Sequence, residues 1–223
     1  MIEFKAVNKK YLDGTVALKD VNFSIDRGEF VFLTGPSGAG KTTLIKLLIR
    51  EELPTSGEIL LDGVDVLNLD RKELPMLRRK VGVIFQDFKL LPAKTVFENV
   101  AFPLEVSGTP PDVILETVPD VLKMVKLESR SHLFPVQLSG GERQKLAIGR
   151  ALSYRPEVLI ADEPTGMLDA KSCSEFYEIF QKINDLGTLV ILSTHNENMI
   201  KRVGRRVVEL EKGKIIKDQK GKS

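Results

Sequence analysis

The stretch "FVFLTGPSGAGKTTLIKLLIR", Phe30 to Arg50, decides the fold. It opens on five residues, "FVFLT", a run short and apolar enough for a strand buried on both faces. It then turns through a glycine-rich loop and continues as a helix-forming pattern. Gly35 to Thr42 fits the spacing Gly, four residues, Gly-Lys-Ser/Thr, in the strand-before, helix-after context that gives this spacing its meaning. The chemistry of phosphate binding asks for these residue types. Gly35, Pro36, Ser37, Gly38, Ala39 and Gly40 form a loop whose backbone N–H groups can curl around phosphates. The helix start adds about half a positive charge. Lys41 reaches the outer phosphates, Thr42 supplies a hydroxyl to Mg²⁺, and Thr43 continues the phosphate contact. The expected ligands are the phosphates of a nucleotide and Mg²⁺.

Upstream, "IEFKAV" and "VALKDVNFSI" read as alternating strands joined by "LDGT", whose Asp13-Gly14 is a hairpin signal. Downstream, "SGEILLDGVDV" reads as a strand and turn, and "VGVIF" as another buried strand. From Asp87 the texture changes to helical periodicity punctuated by Pro and Gly, as in "SGTPPD" and "VILETVPDVLKMVKL". Buried-strand patterns return in "EVLIADE", "TLVILSTH" and "RVVELEKGKII", with the helix "AKSCSEFYEIFQKINDLG" between the first two. The expected fold is α/β: residues 1–86 and 153–223 form a nucleotide-binding core with an N-terminal antiparallel β subdomain, and residues 87–152 an inserted α-helical subdomain. There is no internal repeat, so the chain reads as one cassette.

With 223 residues, 42% of them hydrophobic, the chain can bury a sizeable interior. The formal charge is +2, from 33 basic and 31 acidic residues, and nothing in it points to nucleic acid. Cys173 is the only cysteine, which rules out an intramolecular disulfide and suits a reducing compartment. No stretch approaches the roughly 18 apolar residues needed to span a bilayer. Any membrane association is therefore expected through a partner. The Lys-rich ending reads as a solvated tail.

"VLIADE", Val158 to Glu163, delivers two acids to the C-terminal end of an apolar strand, where parallel sheets place ligands. Asp162 is expected to steer Mg²⁺, and Glu163 to orient and deprotonate the attacking water. Three single residues have two readings each. Gln86 is a turn residue or a ligand of Mg²⁺ and water; His195 is a core histidine or a γ-phosphate contact; Tyr11 is an edge hydrophobe or a platform for adenine. His132 sits in no motif and is read as structural.

The stretch "QLSGGERQKLAIGRAL", Gln137 to Leu152, resembles a second phosphate-binding helix start. "GPSGAGKTT", "FQD", "LSGGE", "LIADEPTGMLD" and "STH" occur in the order found in ATPase subunits of ABC systems, and the resemblance covers nearly the whole chain. It implies a phosphate-loop NTPase core of the RecA-like kind and ATP hydrolysis, with Gln86, Lys41, Glu163 and His195 catalytic and Thr42, Gln86 and Asp162 around Mg²⁺. It also implies a head-to-tail, ATP-dependent homodimer. There Ser139, Gly140 and Gly141 face the γ-phosphate held by the other subunit, and Asp169 couples the two sites. Met167, Arg143 and Asn196 depart from the commoner pattern without removing a group the chemistry needs.

"LRRKVGVIFQDFKLLPAKTVFENVAFPLEVSG", "ADEPTG" and "RVVELEKGKIIKD" look most like the cell-division branch of these ATPases. That branch implies an FtsX-like membrane protein as partner, no nucleic acid, and a peripheral place on the cytoplasmic face of the membrane at the division site. The output would be a signal to cell-wall remodelling. The alternative is an ATPase of a lipoprotein-release or macrolide-efflux transporter, which shares "ADEPTG". Leu90, Leu91, Val96 and Phe97 either line a groove for the partner or form a small core of their own.

Overall fold

In the computed structural model, residues 1–164, 170–195, 200 and 203–221 are described. Two sheets organise them. The first is antiparallel, in the order β2-β1-β4-β5, from β1 (Ile2–Lys10), β2 (Val16–Ile25), β4 (Ser56–Leu61) and β5 (Val64–Asp65). The second has the order β10-β9-β3-β8-β7-β6, from β3 (Phe30–Thr34), β6 (Val81–Ile84), β7 (Val158–Asp162), β8 (Leu189–Ser193), β9 (Arg206–Glu211) and β10 (Lys214–Gln219). Its strands run parallel except β10, which pairs antiparallel with β9. This is the α/β phosphate-loop NTPase fold the sequence predicts.

The β1–β2 hairpin closes where Asp13-Gly14 predicts it. The Tyr11 N–H donates to the Thr15 carbonyl at 2.9 Å, and the Thr15 N–H donates to Asp13 Oδ1 at 2.9 Å. The short apolar strands are buried throughout because each serves two cores. In β3, Phe30 and Phe32 enter a core shared with the helices α3 (Val96–Val106), α4 (Pro111–Met124), α5 (Gly140–Leu152) and α6 (Ala170–Asp185). Val31 and Leu33 point the other way, into a core shared with the antiparallel sheet and α1 (Lys41–Leu48). Leu159 and Ala161 against Val158 and Ile160 repeat the alternation in β7, and Val190 and Leu192 against Leu189 and Ile191 in β8. A period of two with both faces apolar is what a strand covered on both sides requires.

Helix α2 (Leu74–Lys80) is absent from the sequence reading. It has seven residues, three of them basic in its last turn, and only Leu77 is buried, so periodicity gives no signal. Of the four apolar residues with two readings, Val96 is core, fully buried at the start of α3; Leu90 and Phe97 are partly buried against the same core. Leu91 is half-buried.

Candidate nucleotide site

Between β3 and α1 the chain makes the phosphate-loop turn, and local sterics explain its glycines. Gly35 has φ +136°, and a Cβ there would lie 2.1 Å from the Leu210 carbonyl oxygen. Gly40, the residue before α1, has φ +109°, and a Cβ would come within 2.6 Å of the Ala17 carbonyl oxygen. A side chain at either place would force the loop off the neighbouring strands. Gly40 offers no side-chain cap and the first turn of α1 holds no acid, so among the described residues no side chain takes its amide donors.

Lys41 is buried, and its Nζ donates to the carbonyls of Gly35 (2.8 Å) and Pro36 (3.1 Å). It also stands 3.4 Å from Glu163 Oε1, while Glu163 Oε2 lies 3.8 Å from His195 Nδ1. The Thr42 hydroxyl donates to Asp162 Oδ2 at 2.7 Å. The other carboxylate oxygen, Asp162 Oδ1, is buried without a hydrogen-bond partner. An unpartnered buried carboxylate oxygen is expensive unless a cation or donor satisfies it. Among the described residues no cluster of three or more His, Cys, Asp or Glu forms a metal cage. Asp162 and Thr42 therefore present a partial oxygen set, which fits Mg²⁺ because that ion takes few protein ligands and completes its shell with phosphate oxygens and water.

Tyr11, Ser37 to Thr43, Gln86, Asp162 and Glu163 line one cleft of about 340 Å³. The Tyr11 hydroxyl lies 3.2 Å from Thr43 Oγ1, fixing the ring beside the loop. The His195 side chain is 70% exposed and does not line that cleft; with Gly35 and Pro36 it borders a second depression. Glu163 has a left-handed backbone, φ +46°, and its N–H donates to the Ser193 carbonyl at 3.1 Å, so β8 holds the acid at the end of β7. Thr15, Val16 and Ala17 also wall the cleft. Sequence reasoning missed them, because no motif marks a strand that merely approaches.

Ser139, Gly140 and Gly141 do not join this cleft; Ser139 and Gly141 border a separate depression with Gln144, Lys145 and Glu175. Ser139 caps α5 in a capping box: the Glu142 N–H donates to Ser139 Oγ (3.2 Å), and the Ser139 N–H to Glu142 Oε2 (2.9 Å). The Ser139 amide, then its hydroxyl, hold the Glu142 carboxyl below its ordinary pKa. Arg143 has a structural reason: its Nη1 donates to the Leu138 carbonyl at 3.1 Å, tying the loop to its own helix. Gln144, which no motif signalled, is buried and donates to the Pro164 carbonyl just after Glu163. Asp169, Met167 and Asn196 lie outside the described residues.

A profile of the family described as "ABC transporter" matches residues 18–166. The chain is 49% identical over 219 residues to "Cell division ATP-binding protein FtsE" of Bacillus subtilis (strain 168), covering 98% of this chain and 96% of that one. It is 45% identical over 220 residues to the protein of the same name from Mycobacterium tuberculosis (strain ATCC 25618 / H37Rv), covering 98% and 96%. Among solved structures it is similar to the dimeric post-hydrolysis state of the ATP-binding cassette MJ0796 bound to ADP and Pi, with a TM-score of 0.90, 36% identity and full coverage of both chains. It is also similar to cbiO1 from Clostridium perfringens, part of the ABC transporter complex cbiONQ (TM-score 0.90, 32% identity, 97% of this chain and 87% of that one). By family profile, by identity over nearly the whole length and by fold, the chain belongs to the ABC transporter family, as one of its ATPases.

Proposed function

We propose that the chain is the ATP-hydrolysing subunit of a membrane complex of bacterial cell division. Two copies close head to tail on ATP and drive an FtsX-like membrane partner that signals to cell-wall remodelling. Identity of 44–49% to proteins named for cell division, over nearly the whole length, supports the process. One observation carries the chemistry: Lys41, Thr42, Asp162 and Glu163 meet within 3.4 Å contacts under the phosphate loop. No described helix is long and apolar enough to cross a membrane.

In this reading Lys41 and the amides of α1 hold the phosphates of ATP, and Tyr11 with Val16 walls the base. Asp162, Thr42 and Gln86 would hold Mg²⁺, which when bound would neutralise phosphate charge. Glu163 orients a water against the γ-phosphorus and takes its proton as the new P–O bond forms, and the bond to the β-phosphate oxygen breaks to release ADP. His195 contacts the γ-phosphate and stabilises developing charge. In the closed dimer the Ser139 hydroxyl turns its hydrogen from the Glu142 carboxylate to the partner's γ-phosphate, alongside the Gly140 and Gly141 amides. ATP then favours the closed dimer by its differential affinity for that state. Residues 87–152 turn as one lever on the core formed by 1–86 and 153–223. The complex sits on the cytoplasmic face of the membrane at the division site.

Glu163→Gln is expected to keep ATP binding, lower hydrolysis by about 100-fold or more, and accumulate as an ATP-bound dimer in size-exclusion chromatography. Turnover near the wild-type rate would remove Glu163 from its role. Depleting the chain in its host is expected to block septation. Normal division with failed lipoprotein release would overturn the division reading in favour of transport.

A further inference from the structure

We infer that Arg150 is a positioning residue for Gln86, locking the segment after it to the helix that carries Ser139. The inference rests on the reading of Gln86 as a ligand in the nucleotide cleft. Arg150 lies near the C-terminal end of α5, about 15 Å along the helix from its start. Its Nη1 donates to the Lys89 carbonyl at 2.5 Å and its Nη2 to the Phe88 carbonyl at 2.8 Å. Those residues have φ +46° and +55°, two consecutive non-glycine residues in the left-handed region. Such backbone persists only where its surroundings hold it. A planar guanidinium spanning two successive carbonyls is a specific way to do so, and an ammonium cannot reproduce the fork.

The neighbouring contacts extend the clamp. The Leu91 N–H donates to Asn99 Oδ1 (2.9 Å) and Asn99 Nδ2 donates back to the Leu91 carbonyl (3.1 Å), from a side chain that is fully buried in α3. The Lys89 ammonium lies 4.0 Å from the centre of the Phe85 ring, immediately before Gln86. Burial lowers the Arg150 pKa and Asp87 opposes that shift, so the two carbonyls solvate a guanidinium that has given up water. Gln86, in the cleft of its own subunit, is thereby geared to Ser139, which the proposed dimer directs at the other subunit's phosphate. A displacement of Gln86 is carried into α5 by Arg150.

The test compares the full-length wild type with Arg150→Ala, Arg150→Lys, Gln86→Ala and the Gln86→Ala/Arg150→Ala double variant, reading kcat, fluorescent-nucleotide affinity and hydrogen exchange at 87–91. Arg150→Ala is expected to lower kcat by about 10- to 100-fold with nucleotide affinity within about two-fold. Exchange at 87–91 should rise, and the double variant should be no slower than Gln86→Ala. Arg150→Lys, which keeps charge and most of the bulk, should show the same pattern more weakly and serves if the alanine variant is unstable. Independent, multiplying effects of the two sites, or wild-type kcat in both Arg150 variants while Gln86→Ala is impaired, overturn the inference. Wild-type turnover in Gln86→Ala overturns the underlying reading of Gln86, and the inference with it.

Discussion

The two helix starts assigned to phosphate in the proposed dimer are built in opposite ways. Helix α1 begins after Gly40, with left-handed backbone, no side-chain cap and no acid in its first turn. Helix α5 begins after Ser139, with extended backbone, a reciprocal capping box and Glu142 in its first turn. The first leaves its amide donors to whatever lies in the cleft and depends on a close approach of the Ala17 strand that only glycine allows. The second has its Ser139 and Glu142 amides satisfied by its own capping box, and a Cβ at Gly140 would meet no atom of another described element within 4 Å. One is built as a loop open to a ligand in its own cleft; the other is a capped start that, in the proposed dimer, is offered to a second molecule.

The contrast breaks most sharply in mixing. Lys41→Ala and Ser139→Arg are each expected to abolish hydrolysis. In an equal, exchanging mixture about a quarter of all composite sites escape both lesions, and activity should return in that proportion. A mixture as dead as its parents would place the Ser139 loop in its own chain's chemistry, or require both sites to be intact. Next in size is the glycine pair. Gly40→Ala should destabilise the fold by about 3 kcal/mol through its backbone and the Ala17 contact, whereas Gly140→Ala should stay within about 0.5 kcal/mol, both read from urea unfolding. Equal losses would erase the distinction.

Smaller effects sharpen it. Ser139→Ala removes the cap of α5 and should cost about 1 kcal/mol, with nucleotide binding to the isolated subunit unchanged in equilibrium titration. The Glu142 carboxyl, held below its ordinary pKa by the Ser139 amide, contributes stability that is fully present above that ordinary value. That contribution is lost as the pH falls through the lowered value. Thermal unfolding should therefore show a small acid-side loss that Glu142→Gln removes; no such term belongs to α1. An identical acid profile in the variant would refute it.

What the sequence made legible follows the same divide. Gly35 to Thr43, Asp162 and Glu163 were readable because each chemical role is tied to a residue type at a fixed spacing, and the structure gathers Ser37 to Thr43 and both acids with Tyr11 and Gln86 in one cleft. Ser139 is readable from its own residues as a helix start, but its absence from that cleft is expected only through the family resemblance, since spacing says nothing about which molecule a loop faces. Arg150 and Gln144 were illegible for a different reason. Their partners are backbone carbonyls of Phe88, Lys89 and Pro164, and a carbonyl has no identity in a sequence. The left-handed turn at Glu163 was hidden as well, because it depends on a hydrogen bond to β8.

The strands β3, β7 and β8 feed alternate side chains into both cores, whereas α3, α4 and α5 belong to one alone. Opening of those helices would uncover only one face of the sheet, with the other still sealed by α1 and the antiparallel strands. Amide protons of the three strands should therefore exchange with solvent at the rate of global unfolding, and those of α3 to α5 through a separate, lower-energy opening. The phosphate loop and both acids are mounted on the part of the molecule that yields last.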